Sequence, residues 1–315
     1  MKLPADKVAK LRAFYEGRTV CVTGGAGFIG GHIVDTLVAL GATISVIDDL
    51  SNSNLEHLAS LIEMDPDRVR FFQGSILDDE AMAQATDGCT VILHLAAMGS
   101  VPASVENPQR YWSVNATGTV RVLEAARVVG AQRVVLASSS SVYGDQPELP
   151  KRESHRTDPL SPYAVSKLAG EQLLSTWSRC YGLSTVSLRY FNIFGPRQAA
   201  DSAYAAVVAA FAKKLLNGER PKINGTGEFT RDFTFVSNAV LATLLAGSAP
   251  GNLAGPVMNV GTGKAVSINQ LARAMAVAAG HPDLEPTYGP ERAGDVPHSL
   301  ADISEARRII GYEPV

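Results

Sequence analysis

Cysteine is scarce in this chain of 315 residues: only Cys21, Cys89 and Cys180, far apart and odd in number. Such spacing offers no disulfide framework and no paired metal ligands, so a reducing, cytoplasmic setting and no metal are expected. Basic blocks are missing too, and the formal net charge is −3. A nucleic-acid partner would need a cationic surface to neutralise phosphates, so none is expected. No apolar stretch reaches the roughly 20 residues that cross a bilayer, which argues against a membrane partner. The opening MKLPADKVAKLRAFYEGR carries Lys and Arg throughout and lacks an apolar run, unlike a secretory signal. Charged residues are only 19% while hydrophobic ones reach 46%, ample for a core and contrary to disorder.

What is present is a rhythm. Short β-branched runs over 18–23, 43–47, 69–72, 90–95, 133–138 and 185–189 predict strands. Between them, helical spacing covers 29–40, 114–129 and 162–181. Apolar strands alternating with helices predict an α/β fold, a doubly wound parallel sheet covered on both faces. After Tyr190 the alternation breaks into shorter pieces punctuated by Gly, Pro and Asn. The expected division is a dinucleotide-binding domain over 1–190 and a smaller C-terminal substrate-binding lobe over 191–315. The lobe would lie over the carboxyl edge of the sheet and interleave with the first domain.

The first strand runs into Gly24-Gly25-Ala26-Gly27-Phe28-Ile29-Gly30. Glycines at 24, 27 and 30 let backbone approach a pyrophosphate at the start of a helix. A second strand ends at Asp48-Asp49, where a carboxylate accepts bonds from the adenosine ribose and repels a 2′-phosphate. NAD is therefore the expected cofactor. Asn52 and Ser53 add polar contacts, and Leu95, Ala96 and Ala97 leave it room. A glycine turn with an incidental Asp is the plainer alternative. His94 reads as a packed strand-end residue.

Tyr163 and Lys167, in SPYAVSK, stand one turn apart on a helix begun by Pro162. An ammonium near a phenol favours the phenolate, which suits Tyr163 as a base. Ala137-Ser138-Ser139-Ser140-Ser141 ends the fifth strand on the same side as the glycine turn, where a hydroxyl can orient a substrate hydroxyl.

In TGGAGFIG, HLAA, SSSSVYG, SPYAVSK, LRYFNIFGPRQ, RDF and GDVPHS the chain resembles the extended short-chain dehydrogenase/reductases, and among them the UDP-hexose 4-epimerases. AAMGSVPAS, SRCYGLST, AYAAVV, INGTGE and GDVPHSLADIS are most similar to UDP-N-acetylglucosamine 4-epimerases of bacterial polysaccharide synthesis. The resemblance implies a Rossmann-type sheet and a homodimer paired through two helices of each copy. It implies Ser139 and Tyr163 flanking the reacting O4, Ser141 assisting, Ser140 beside them at the substrate, and Lys167 supporting NAD. Asn115, Tyr190 and Phe191 would approach the cofactor. Gly99, Ser100, Asn192, Asn224, Arg231, Arg292, Asp295 and Ser299 would line the UDP-sugar site, the arginines on its diphosphate. In Gly74-Ser75-Ile76 the family usually has Asp at position 75, so a weaker hold on adenine is implied.

Related reactions fit less well. A 4,6-dehydratase usually has Asp-Glu where Ser140-Ser141 stand, and a UDP-glucuronate decarboxylase a Glu at Ser141. A UDP-glucuronate 4-epimerase shares the serines but usually lacks the Asn at 192. A non-catalytic NAD-binding protein is opposed by intact Ser139, Tyr163 and Lys167.

Overall fold

A computed structural model describes residues 3–199, 207–291 and 296–315. It opens with helix α1 (Ala5–Tyr15), which the sequence reading leaves unassigned. Val8, Leu11 and Tyr15 recur at helical spacing; Leu11 and Tyr15 are fully buried. The Tyr15 hydroxyl donates to the Leu244 carbonyl at 2.9 Å, anchoring α1 to the body of the protein.

The sheet and its main helices follow as β1 (Thr19–Thr23), α2 (Phe28–Ala39), β2 (Thr43–Asp48), β3 (Val69–Gln73), α3 (Asp79–Thr86), β4 (Val91–His94), α4 (Gly118–Val129), β5 (Arg133–Ser139), α5 (Pro162–Tyr181), β6 (Thr185–Tyr190), α6 (Val236–Ser248) and β7 (Val257–Val260). All seven strands run parallel in the order β7-β6-β5-β4-β1-β2-β3. The expected Rossmann-type sheet is therefore present. Strand faces alternate as the pleat requires. Val20, Val22, Val91 and Leu93 join one core with α1, α2 and α6, whereas Cys21 and Ile92 join a second with α3, α4 and α5. Val20 lies between Ile44 of β2 and Val91 of β4, so the strand order reverses at β1 and opens a crevice at its carboxyl end.

The boundary at Tyr190 is not sharp. β7 completes the sheet beside β6, and every residue of α6 from Val236 to Gly247 is buried. Polar residues masked both: Asn238 lies in α6 and Asn259 in β7, each buried and hydrogen-bonded. The remaining segments form a small core of their own. Phe211, Leu215, Ile223, Ala272 and Ala276 pack between helices Val207–Leu216 and Ile268–Ala278 and strand Lys222–Asn224. Among the described residues, no helix is long and apolar enough to cross a membrane.

Candidate active site

The glycine turn leaves β1 at Thr23. Gly24 has a φ of +71°, and a Cβ there would stand 2.6 Å from the Ala96 nitrogen. A Cβ on Gly30 would overlap the Gly24 carbonyl, so both positions require glycine for packing. Gly27 differs. Its Cβ would meet only the Gly24 oxygen, at 3.3 Å, and it begins α2 with no side-chain cap. The first turn, with half-buried Phe28 and Ile29, contains no acid. A helix N-terminus with no side-chain cap and no acid in its first turn, reached by backbone without side chains at 24, 27 and 30, fits a pyrophosphate.

Asp48 braces this turn. Its Oδ2 accepts from the Ala26 N–H at 3.0 Å, and its Oδ1 from the Leu50 N–H at 3.0 Å and the Ser53 hydroxyl at 2.8 Å. Asp49 is exposed and accepts from the Ser51 N–H; Asn52 is exposed beside it. Leu95 and Ala96 donate their N–H groups to the Thr23 carbonyl and hydroxyl, drawing the ends of β1 and β4 together, with Ala97 half-buried next to them. At the departure from the family pattern, the Ser75 hydroxyl accepts from the Leu77 N–H, and Ile76 is buried against Gly118.

Ser161 caps α5 by accepting from the Ala164 N–H, with Pro162 in the first turn. This cap fixes where Tyr163 and Lys167 emerge. Lys167 Nζ donates to the Ala137 carbonyl at 2.8 Å. Two residues on, Ser139 Oγ accepts from the Ser141 hydroxyl at 2.9 Å and the Ser141 N–H at 3.2 Å, while Ser140 begins the helical turn Ser140–Tyr143. Burial pushes the Tyr163 phenol up; a hydrogen bond with Ser139 opposes this, and neighbouring Tyr111 adds to it. The expected depression by Lys167 is thus not what the chain alone provides. The ammonium points to a carbonyl, and desolvation of the ring dominates. Burial also lowers Lys167 to about 8, against an upward pull from Glu171.

Asn115 lies in a single π-helical turn, Ser113–Thr117, ahead of α4. Its amide accepts from the Met98 N–H at 2.8 Å and donates to the Met98 carbonyl and the Ser166 hydroxyl. It therefore clips the loop after β4 to α5. Tyr111, missed in the sequence because no motif marks it, stands edge-on to Tyr163 with ring centroids 6.5 Å apart, and its hydroxyl accepts from the Ser100 N–H. The Ser100 hydroxyl caps helix Val101–Glu106, and Gly99 is exposed just before it. Tyr190 is hydrogen-bonded to Thr243 of α6, and burial raises its phenol to about 12. The ring of Phe191 is fully enclosed beside Tyr143 and packs in the core.

On the lobe side, Asn192 has a φ of +37° and its amide donates to the Asp232 carbonyl at 3.4 Å. Arg231 donates to the carbonyls of Thr230 and Pro297, both at 3.0 Å, and the Ser299 N–H donates to Thr230. Arg231 and Ser299 are thereby brought to one locus. Asn224 sits on a short strand against Gly289. Arg292 and Asp295 lie outside the described residues.

Residues 20–261 match the model of the NAD dependent epimerase/dehydratase family. A UDP-glucose 4-epimerase of Mycolicibacterium smegmatis is 41% identical over 93% of this chain and 92% of its own length. A UDP-N-acetylglucosamine 4-epimerase from Methanobrevibacter ruminantium, solved with UDP-N-acetylmuramic acid, superposes with a TM-score of 0.89 at 38% identity, covering 95% of this chain and 94% of that one. A Thermus thermophilus UDP-glucose 4-epimerase solved with NAD gives 0.82 at 35% identity, covering 94% of each. The chain belongs to the NAD dependent epimerase/dehydratase family. It is an NAD-dependent epimerase of the extended short-chain dehydrogenase/reductase type.

Proposed function

We propose that the chain reversibly inverts C4 of a UDP-sugar, and that UDP-N-acetylglucosamine and UDP-N-acetylgalactosamine are its main pair, with UDP-glucose and UDP-galactose as further substrates. The observation that carries the reading is the docking of the Tyr163–Lys167 helix turn on the strand end that bears Ser139. Ser139 orients the C4 hydroxyl, and Tyr163 as the phenolate takes its proton and returns it to O4 once C4 has been inverted. Bound NAD supplies the hydride acceptor, and afterwards the donor, at C4. Lys167 provides the positive charge that favours the phenolate form of Tyr163 against its burial, and would hold the nicotinamide ribose. Asn192 and Arg231, with Arg292, would anchor the diphosphate while the 4-keto sugar turns, so that either face of C4 can be presented to the cofactor site. Gly99, Ser100, Ser140, Ser141, Asn224, Asp295 and Ser299 complete the sugar and uridine contacts.

Residues 1–190 with α6 and β7 form the cofactor-binding unit on this reading, and the rest of the chain the sugar-nucleotide lobe. The working form is a cytoplasmic homodimer. The test is to incubate purified protein separately with UDP-N-acetylglucosamine, UDP-glucose and UDP-glucuronate and follow the C4 configuration by proton NMR. Epimerisation of the N-acetylated sugar supports the reading. Turnover of UDP-glucuronate alone replaces it with the UDP-glucuronate 4-epimerase assignment, and turnover of none removes the catalytic assignment.

A further inference from the structure

Glu171 lies one turn beyond Lys167 on α5, and both are buried. Its Oε1 accepts from the Ser138 hydroxyl at 2.5 Å and from Arg189 Nε at 2.9 Å; its Oε2 accepts from Arg189 Nη2 at 2.7 Å. Ser138 stands between Ala137, whose carbonyl receives Lys167, and Ser139. Arg189 lies on β6 and rests over the Tyr143 ring, 4.6 Å from its centroid. From α5, one carboxylate thus bonds to the ends of β5 and β6, so it ties together the helix that carries Tyr163, the strand end that carries Ser139 and the strand that leads to Asn192.

Resting on the epimerase reading above, we propose that Glu171 is a positioning residue for the reaction: its carboxylate sets the Tyr163–Lys167 turn against Ser139 and serves as the counter-charge of the Lys167 ammonium.

A buried ion pair is a weak source of stability, because desolvation cancels much of the attraction. The Glu171–Arg189 pair therefore has room for a second role. The groups facing Lys167 are few. Tyr163 and Glu171 share its helix, His94 faces it from β4, and Arg189 stands behind Glu171. His94 is neutral, since burial drives it down to about 3. Glu171 alone opposes the burial that lowers Lys167. Without it, the Arg189 guanidinium would push in the same direction as burial, and Lys167 would hold its proton less firmly.

The experiment uses the NAD-loaded enzyme labelled with 13C at lysine Cε, with the Lys167 resonance assigned by its loss in Lys167→Arg. The wild type, Glu171→Gln, Glu171→Asp and the double variant Glu171→Gln/Arg189→Met are titrated by NMR, and kcat and KM are measured across pH. The Lys167 midpoint should fall by at least about one pH unit in Glu171→Gln, a tenfold loss of the charged fraction at a fixed pH above both midpoints. The double variant leaves no unpaired guanidinium, so it should show a smaller fall. Glu171→Asp should recover most of it. The alkaline limb of kcat should move with the midpoint, while KM changes little.

An unchanged Lys167 midpoint in a folded variant, or a loss of kcat equal at every pH, overturns the proposal. So does failure of both Gln variants to fold, which would make Glu171 a fold residue only. Should the wild type turn over no UDP-sugar, the functional reading fails, but the Lys167 titration still decides the role of Glu171.

Discussion

Lys167 of α5 donates its ammonium to the carbonyl of Ala137 in β5 at 2.8 Å, and this bond seats the tyrosine-bearing helix beside the serine strand end. The carbonyl is two residues before Ser139, so the helix turn that carries Tyr163 meets the strand end that carries Ser139. The site depends on this docking more than on either motif alone.

Tyr163→Phe tests the assignment of the base. Phe keeps the ring that packs edge-on against Tyr111 and removes only the hydroxyl. Fold and bound NAD should survive, read by circular dichroism and by cofactor content after gel filtration. Epimerisation should fall at least 10²–10⁴-fold, roughly the contribution of a positioned base. Turnover near that of wild type would remove Tyr163 from the mechanism.

His94 offers a pH test with a defined sign. Thr119 donates its hydroxyl proton to the Asn115 carbonyl, so toward His94 Nε2 it acts as acceptor; Thr23, receiving the Ala96 N–H, donates to Nδ1. The ring is then neutral with its proton on Nε2. Burial lowers His94 from its ordinary value of 6.5 to about 3, so between those values the unfolded chain binds the extra proton. The stabilisation is complete above about 6.5 and is lost as pH falls through that window, with a slope of at most about 1.4 kcal/mol per pH unit. His94→Asn should flatten the acid side of a urea-stability profile. Parallel profiles for variant and wild type would show that His94 takes no part in acid unfolding.

The proposed dimer has a visible surface. Trp112 is 51% exposed and Leu160 61% exposed, and with Pro108, Pro162 and Val165 they line an apolar groove beside the start of α5. Soluble monomers rarely leave such a patch uncovered, and isologous pairing is the commonest way to cover one. Light scattering at micromolar concentration should give twice the chain mass. Trp112→Glu/Leu160→Glu should give a monomer with unchanged circular dichroism. A wild-type monomer, or a double variant that still pairs, excludes this surface.

Much of the sheet was legible because β1 to β6 are β-branched runs, and helix 162–181 has the expected bounds, with Pro162 in its first turn and Gly182 closing it. What escaped was whatever tertiary context alone decides. α1 has a weak apolar stripe that becomes a stripe only when Tyr15 reaches Leu244. β7 carries Asn259, a poor strand former until its amide meets the carbonyls of Lys151 and Asp302 and its oxygen the Tyr143 hydroxyl. In the site, Ser139, Tyr163 and Lys167 stood out by motif. Tyr111 and Glu171 did not, because their roles arise from contacts between elements far apart in the chain. The Tyr163 shift runs opposite to the sequence expectation for a related reason: spacing shows a lysine one turn away but not how deeply the ring is buried.

Ser299 bears on which sugar is accepted. By the resemblance, this position would face the C2 substituent, where a large Tyr would restrict the pocket to UDP-glucose and UDP-galactose. Here the side chain is a hydroxymethyl group. Its backbone N–H is fixed to the Thr230 carbonyl at 3.0 Å, one residue from Arg231, so its position is set by the same strand that carries the proposed diphosphate ligand. A Ser leaves free the volume a phenol would fill, which suits an N-acetyl group. Steric mismatch in such a pocket is worth about 1–3 kcal/mol, or roughly 10–200-fold in kcat/KM. Ser299→Tyr should therefore cut kcat/KM for UDP-N-acetylglucosamine at least about tenfold, at the low end of that range, while largely sparing UDP-glucose. Both substrates must be measured on the same preparation, so that a general loss of fold registers as an equal fall in each. Equal loss on both, or a wild type confined to the unacetylated sugars, would show that Ser299 does not gate the pocket and would withdraw the N-acetylhexosamine assignment.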